Sequence, residues 1–192
     1  VTGSVGKTST KDAIFAVLKN HRKARRSEKS FNSEIGVPLS VLGLPNGWDN
    51  PVAWIINIIE GFFIAAFSRN YPEVLVLEAG VDRPGDMKSL TAWLKPDIAV
   101  ITRLPDVPVH VEYFSTPEAV AEEKLELVWA LKPNGVFIYN HDDAKLLAAV
   151  ADVRQPSVGF SRYAPSQFTA AADEIVYRDD VPAGSQFTLT HM

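Results

Sequence analysis

The sequence contains no cysteine among its 192 residues. A disulfide scaffold, a thiolate zinc site and a cysteine nucleophile are therefore excluded. No signal peptide is recognisable, so we expect a reducing, cytoplasmic setting. Excess positive charge is also lacking: the formal net charge of -4 argues against a general nucleic-acid-binding surface. With 46% hydrophobic residues, the chain has enough apolar material for the core of one globular domain.

The strongest motif is a glycine-rich segment at residues 3–9, GSVGKTS, directly before a helical pattern. Glycines allow backbone N–H groups to approach phosphate oxygens, and the following helix directs its positive end toward them. Lys7 can reach the β/γ-phosphates and the Thr8 hydroxyl can bind Mg²⁺. The alternative is a glycine-rich turn without a nucleotide. The predicted ATP-binding residues of this loop are Gly3, Ser4, Val5, Gly6, Lys7, Thr8 and Ser9.

Such a loop normally leaves the carboxyl end of a buried parallel strand, yet almost no residues precede it here. We therefore expect residues 1–192 to be an excised or partial middle domain.

Apolar periodicity alternates between strands and helices along the chain. Strands are predicted at 73–78, 97–102 and 136–140, and helices at 8–18, 86–94, 117–131 and 142–150. Shorter β-prone segments at 174–177 and 186–189 indicate an antiparallel edge. This order predicts an α/β fold: a three-layer, P-loop-type, mostly parallel sheet flanked by helices, with antiparallel edge strands near the carboxyl end.

Segment 51–67, PVAWIINIIEGFFIAAF, resembles a membrane span but contains Asn57 and Glu60 and has only 17 residues. A span needs about 20 apolar residues. We therefore expect a buried or interface-facing helix in preference to membrane contact, and a contact with a membrane surface or a partner is the alternative. The basic run 22–26 is interpreted as a solvated face or as help in binding a diphosphate, because no aromatic residues are interleaved with it.

Several polar residues follow the predicted strands. Glu78 ends one strand, where a carboxylate can bind Mg²⁺ or simply face solvent. His110 lies in the loop after the next strand, where a lone histidine is usually structural or solvated. Lys124 has the pattern of a surface ion-pair lysine. Asn140 and Asp143 can bind a base or ribose, or cap the following helix.

These phrases, in this order, resemble the central ATP-binding domain of the Mur ligases. TGSVGKTSTKD is similar to the phosphate loop of that family, and SFNSEIGVPLSVL to its N-x-x-IGVPL phrase. LEAGVDRPGDMKSL resembles the element typical of the MurF type, the UDP-N-acetylmuramoyl-tripeptide:D-alanyl-D-alanine ligases. The family order continues to YNHDD at 139–143.

The resemblance implies an ATP-dependent ligase of peptidoglycan precursor synthesis. ATP would phosphorylate the terminal carboxylate of a UDP-linked muramoyl peptide, and the amine of D-Ala-D-Ala would attack the acyl phosphate. Mg²⁺ and ATP are the implied cofactors. Catalytic positions would be Lys7, His110 and Lys124, and metal positions Thr8, Glu78, His110 and Lys124, with Lys124 carbamylated. Asn140 and Asp143 would bind ATP, and Ser27 and Asn32 the UDP-linked substrate.

Some positions depart from the family pattern. Arg103 and Leu104 follow Thr102, where Asn-Ile is common, and the approach to His110 also differs. Three alternatives therefore stay open: the MurF-type ligase, a diverged Mur-like ligase with another acceptor (of the folylpolyglutamate or cyanophycin type), and a non-catalytic P-loop module that binds ATP. The sequence leaves the acceptor, the oligomeric state and the role of segment 51–67 undetermined.

Overall fold

The computed structural model describes residues 1–28, 31–67, 69–106 and 111–192. Its helices are α1 (Lys7–Leu18), α2 (Gly36–Leu42), α3 (Pro51–Phe67), α4 (Asp86–Trp93), α5 (Pro117–Trp129) and α6 (Ala144–Ala149). Its strands are β1 (Ala24–Arg26), β2 (Val74–Val76), β3 (Ile98–Ile101), β4 (Val136–Asn140), β5 (Ser157–Ser161), β6 (Phe168–Arg178) and β7 (Val181–His191). Short 3₁₀ turns cover Val111–Tyr113 and Val150–Asp152.

Two parallel ladders, β1-β2 and β3-β4-β5-β6, are connected by the first two residues of the chain. The Val1 nitrogen donates to Leu77 O (2.8 Å) at the end of β2. On the other side, Thr2 N donates to Val100 O (2.8 Å) and Thr102 N donates to Thr2 O (3.0 Å). Val1 and Thr2 thus lie between β2 and β3, and the glycine-rich loop begins in the middle of the sheet.

The core lies between this sheet and its helices. Helices cover both faces of such a sheet, so its strands are rich in Val, Ile and Leu. The α4 and α5 helices pack against each other over the sheet. The fully buried apolar residues of the core include Val37, Met87, Ala99, Ile101, Val120, Val128, Phe137 and Leu146.

The predicted fold class is confirmed: the sheet is mostly parallel, and β6 and β7 form the antiparallel edge. Both edge strands are longer than predicted, at 11 residues each. Two strands were not predicted. The β1 strand consists of Ala-Arg-Arg, which carries no apolar pattern, and β5 contains glycine and two serines. Register with a neighbouring strand, rather than local sequence, holds both in the sheet.

The α3 helix has the predicted bounds, and of the two expectations, a buried helix or an interface-facing one, the structure shows no burial of most of the helix within this chain. Only Asn57 and Gly61 are buried in this helix, and most of its large apolar side chains are exposed. Within the ranges that the structure describes, no helix has both the length and the apolar character needed to cross a membrane.

Candidate active site

The glycine-rich loop is shaped by two glycines and by the end of β3. Gly3 and Gly6 have positive φ angles, 141° and 80°. A Cβ atom on Gly3 would lie 2.1 Å from Thr102 Oγ1, so any side chain there would collide. The Thr102 hydroxyl instead donates to Val5 O (2.6 Å). The loop is therefore held against the carboxyl end of β3, and glycine is required for this close approach.

The start of α1 faces this loop. Gly6 occupies the N-cap position in the left-handed conformation, and no side chain caps the helix there. The first N–H groups of a helix lack partners within it and attract anions. Lys7 Nζ donates to Gly3 O (3.0 Å), which curls the side chain over the loop. Among the described residues the buried Ser4 Oγ has no hydrogen-bond partner, so the loop retains an unused polar group that fits a phosphate oxygen.

Glu78, at the end of β2, is 1% exposed and lies against the second residue of α1. Thr8 Oγ1 donates to Glu78 Oε2 (2.9 Å), and Asn32 Nδ2 donates to Oε1 (3.4 Å). The Glu78 N–H donates to Ser27 Oγ (3.1 Å). A hydroxyl and a carboxylate at one point are oxygen donors of the kind that Mg²⁺ prefers. The predicted metal positions Thr8 and Glu78 are thus brought together.

A buried lysine that the sequence analysis missed compensates the charge of Glu78. Lys11 is 1% exposed, and its Nζ lies 3.7 Å from Glu78 Oε2. The same Nζ donates to Ser27 O (2.9 Å). The available signal was the spacing, because Lys11 follows Lys7 by four residues and residues four apart share one face of a helix.

Ser27 and Asn32 occupy different positions relative to this cluster. Ser27 is fully buried beneath Glu78, where its hydroxyl supports the Glu78 backbone. Asn32 reaches a pocket of about 280 Å³ beside Glu78. That pocket is lined by Asn32, Ser33, Glu34, Ile35, Gly80, Asp82, Arg83, Asp86 and Leu90. Contact of either residue with a UDP-linked substrate stays a prediction.

Lys124, on α5, is 2% exposed, so its interpretation from the sequence alone as a surface lysine is wrong. The pKa of Lys124 is lowered to about 8, chiefly by burial and also by the positive charge of Lys7, against the opposing effects of Asp82 and Glu123. Lys7 and Lys124 therefore face the same region, and the Lys124 amine loses its proton much more readily than an exposed lysine.

The neighbouring residue Glu123 connects α5 to the start of α4. Its Oε2 accepts from Gly85 N (3.0 Å) and its Oε1 from Met87 N (2.8 Å). Asp86 Oδ2 accepts from Arg83 N (2.7 Å) in the preceding turn. These contacts fix the VDRPGDM turn beside α5, and with it the acidic side of the Lys124 environment.

Asn140 and Asp143 follow β4 and are partly used by the protein itself. Asp143 Oδ2 accepts from Leu104 N (2.6 Å), while Oδ1 accepts from the first N–H groups of α6. Asn140 Oδ1 accepts from Asp142 N (3.0 Å). Asp143 therefore caps α6, the alternative that the sequence left open. Nucleotide contacts of both residues stay predictions.

These two residues line a second pocket of about 440 Å³. Its other lining residues, which the sequence analysis did not name as site residues, are Arg103, Asp142, Phe160, Arg162 and Tyr163. Phe160 belongs to β5, and Arg162 and Tyr163 directly follow that strand. Recognising β5 in the sequence would therefore have placed these three residues at the carboxyl edge of the sheet. The pocket combines aromatic surfaces with amide and carboxylate groups.

Residues 102–104 connect the loop with this second pocket. Ser4 N donates to Arg103 O (2.9 Å), and Leu104 N donates to Asp143 Oδ2 (2.6 Å). The carboxyl edge of the strands therefore carries three neighbouring features: the Thr8–Glu78 contact, the glycine-rich loop and the Asn140 pocket. In open α/β sheets this edge is where ligands bind.

The predicted metal and catalytic residue His110 lies outside the described residues. In the ranges 1–28, 31–67, 69–106 and 111–192 there is no group of three or more His, Cys, Asp or Glu side chains that could hold a metal. Mg²⁺ is usually bound by one or two carboxylates together with phosphate oxygens and water. Thr8 and Glu78 fit that pattern, which needs no complete protein cage.

The chain is similar to known proteins at three levels: a family model, curated relatives and solved structures. The Mur ligase middle domain family matches residues 61–189. The UDP-N-acetylmuramoyl-tripeptide–D-alanyl-D-alanine ligase of Bacillus subtilis (strain 168) is 35% identical over 146 residues, which is 76% of this chain and 26% of that protein. The chain thus spans about a quarter of the length of this curated relative.

Among solved structures, the MurF ligase of Thermotoga maritima in complex with ADP is similar at a TM-score of 0.68 and 26% identity, over 93% of this chain and 35% of that one. MurF from Acinetobacter baumannii is similar at a TM-score of 0.72, over 99% of this chain and 35% of that one. At 20% identity, the second likeness speaks for the fold alone.

Proposed function

This chain belongs to the Mur ligase family through its middle domain, and from that premise we propose that it is the ATP-binding domain of a ligase that joins D-Ala-D-Ala to UDP-MurNAc-tripeptide. The observation that carries the proposal is the contact of Thr8 Oγ1 with Glu78 Oε2 (2.9 Å) beside the glycine-rich loop. It unites a phosphate-binding element and a metal-binding carboxylate. The relatives supply the reaction.

The proposed reaction brings several anions together. The substrate carboxylate attacks the γ-phosphorus of ATP to give an acyl phosphate and ADP. The amine of the dipeptide then attacks the acyl carbon, and phosphate leaves from the tetrahedral intermediate. Little covalent chemistry is left to the protein, so catalysis rests on positioning and on neutralising charge.

The residues of this chain divide that work. The start of α1, the loop amides and the Lys7 ammonium bind and orient the phosphates. Thr8 and Glu78 would hold Mg²⁺, with His110 as a further predicted position. Bound Mg²⁺ supplies positive charge to the transferred phosphoryl group. Lys11 Nζ lies 3.7 Å from Glu78 Oε2 and offsets the charge of that carboxylate.

Lys124 is proposed to act as a carbamate. Its neutral amine attacks the carbon of CO₂, and the proton released goes to solvent. With a pKa of about 8, roughly half of the amines are neutral at pH 8, whereas an ordinary lysine is almost fully protonated. The change replaces a cation that repels Lys7 with an anion that attracts it, and this anion can help to organise the metal.

The base and ribose of ATP are proposed to occupy the pocket of about 440 Å³. Asn140 offers amide hydrogen bonds there, and Phe160 and Tyr163 offer aromatic surface. The UDP-linked substrate is proposed to approach the pocket of about 280 Å³ at Asn32, where Arg83 can face its anionic groups, and Ser27 supports this region from below.

Because the chain spans 26% of the Bacillus subtilis relative, the remaining substrate contacts are proposed to come from flanking domains of the same protein. The isolated domain is then expected to bind nucleotide weakly and to turn over little. The cytoplasmic setting predicted above accompanies this proposal.

The test uses the full-length protein that contains this chain. Phosphate release from ATP is measured with UDP-MurNAc-tripeptide, with and without D-Ala-D-Ala, for the wild type, Lys124→Ala and Lys95→Ala. Lys95 is an exposed lysine next to the opposite end of β3 and serves as the matched control. We expect release that needs both substrates, falls by about 10²- to 10³-fold in Lys124→Ala and is unchanged in Lys95→Ala.

A second readout separates the carbamate from the ligase activity. In isotopically labelled bicarbonate, the wild type should show a carbamate carbon resonance that is absent from Lys124→Ala. ATP binding without dependence on either substrate would instead favour the non-catalytic module. Turnover with a different acceptor would favour a diverged ligase.

A further inference from the structure

Two features of the chain lie outside the candidate site described above. They are the apolar helix α3 and the basic turn after α1, which contains Arg22 and Lys23. The fold places them next to each other, because the residues that follow α3 pack against that turn. Lys23 Nζ donates to the backbone oxygen and to the side-chain oxygen of Asn70. Glu73 N donates to Lys23 O (2.8 Å).

The α3 helix packs against the domain with its polar and small side. Asn57 is 6% exposed, and its Nδ2 donates to Pro45 O (2.8 Å). Gly61 is also buried, and a Cβ atom there would lie 3.1 Å from Leu42 Cδ1. The α2 helix and the loop after it therefore contact α3 at Asn57 and Gly61, which are among the least apolar residues of α3.

The opposite side of α3 is apolar and exposed. Eight large side chains are between 48% and 70% exposed: Val52, Ile55, Ile56, Ile58, Ile59, Phe62, Phe63 and Phe67. At about 100° per residue they cover roughly half of the helix circumference. The only charged residue of the helix is Glu60. A soluble domain ordinarily turns such a face inward, so its exposure indicates a contact surface.

Positive charge gathers at the carboxyl end of this face. Arg22, Lys23 and Arg69 are exposed and are called the basic cluster below. Arg22 Nη1 lies 3.6 Å from Glu73 Oε2, which ties the turn to the segment after α3. This surface has an apolar face with exposed cations at one end. It is complementary to a partner surface that has an apolar interior and a negatively charged boundary.

We propose that α3 and the basic cluster dock this domain on an anionic phospholipid surface. The helix lies along the surface, because 17 residues extend only about 25 Å, less than the ~30 Å of a bilayer core. Helices of this kind bury one face at the boundary of headgroups and acyl chains. A partner helix, including one from a second copy, covers a stripe of about 100°, whereas lipid covers a face of this width.

The test measures binding of the full-length protein to vesicles of phosphatidylglycerol and phosphatidylcholine, and to vesicles of phosphatidylcholine alone. We expect binding to the anionic vesicles that weakens as salt is added. Ile58→Glu/Phe62→Glu should lower the partition coefficient by more than about tenfold. Lys23→Gln and Arg69→Gln should each lower it by about fivefold.

The matched control is Ile175→Glu/Phe187→Glu on the β6–β7 hairpin. These two side chains are 59% and 55% exposed, so the substitutions add the same charge at exposed apolar positions away from α3. Vesicle binding should be retained in this variant, and ATP binding should be unchanged in all variants, which establishes that they are folded.

Three outcomes would overturn the proposal. The first is the absence of binding to anionic vesicles by the full-length protein, as expected if a flanking domain covers α3. The second is equal loss of binding in the α3 variant and the hairpin control. The third is self-association that Ile58→Glu/Phe62→Glu abolishes, without any vesicle binding, which would make α3 an interface between copies. None of these outcomes depends on the ligase reaction, so the two proposals fail separately.

Discussion

Around Glu78, charged side chains are almost completely removed from solvent: Glu78 and Lys11 are each 1% exposed, and Lys124 is 2% exposed. Along α3, large apolar side chains are roughly half or more exposed, with Ile58 at 70%. In most domains the two classes of residue are distributed the other way round. The nucleotide site thus holds charge inside, and α3 holds apolar surface outside.

The two regions differ in what makes their arrangement tolerable. Buried charges persist where opposite charges and hydrogen bonds compensate their lost hydration, as Lys11 and Thr8 do at the Glu78 carboxylate. An exposed apolar face has no internal compensation and is stabilised only by something that covers it. The charges of the first region are therefore compensated within the chain, whereas the apolar face of α3 has no such compensation, which is why we propose a contact there.

The largest effect is expected from removing one buried charge. Glu78→Gln leaves Lys11 without its buried counter-charge, and we expect the free energy of unfolding to fall by about 3 kcal/mol in urea titrations. Glu78→Gln combined with Lys11→Met should restore part of the loss. A loss below about 1 kcal/mol would show that Asp12, 3.4 Å from Lys11 Nζ, compensates the lysine by itself.

A smaller effect is expected at the inner side of α3. Gly61→Leu places atoms against Leu42, and we expect a loss of about 2 kcal/mol by the same titration, because overpacking forces the helices apart. Ala65→Leu, on the exposed side of the same helix, is the matched control and should change stability by less than about 0.5 kcal/mol. Equal losses would mean that the exposed face is packed in solution.

The buried amine of Lys124 predicts a pH dependence of stability. Its folded pKa of about 8 lies below the unfolded value of 10.5, so the unfolded chain binds more protons between these limits. Stability should rise with pH through this window, with a slope of up to about 1.4 kcal/mol per pH unit, and the penalty should be complete below pH 8. Thermal unfolding of Lys124→Met should lack this slope, while Lys95→Met keeps it. An unchanged slope in Lys124→Met would contradict the assignment.

The smallest effect is expected on the outer face of α3. Ile59→Ser, at a side chain that is 52% exposed, should change the unfolding free energy by less than about 0.5 kcal/mol in the absence of lipid. Urea titration again provides the measurement. A loss near that of a core isoleucine would show that this face is covered in the free protein, and the contrast with the nucleotide site would disappear.

Much of the architecture around the candidate site was predictable because its signals are local. The loop, the α1 helix and the strand ending at Glu78 follow from glycine spacing and from apolar runs, and the confirmed fold class follows from their order. Lys124 shows the limit: its local pattern indicates a surface lysine, and only the resemblance assigned it a role. Its burial depends on α5 packing beside the loop, which involves residues far apart in sequence.

The missed features depend on long-range pairing. The β1 strand is two arginines and an alanine, held by its register with β2, and β5 is recognisable only through its neighbours. Because β5 was not predicted, the pocket residues Phe160 and Tyr163 were not identified from the sequence. For α3 the composition indicated a buried or interface-facing helix, because an apolar helix is usually covered. Whether such a helix finds a partner inside the domain is not encoded in the helix itself.

The short run from Thr102 to Leu104 has a consequence for selectivity. Its first residue holds the loop at Val5, and its third is bound by Asp143 at the second pocket. Three residues of extended chain reach at most about 10 Å. The distance between the glycine-rich loop and the second pocket is therefore limited by the protein itself. If the two hold the phosphates and the base as proposed, a nucleotide of a different length would contact only one of them.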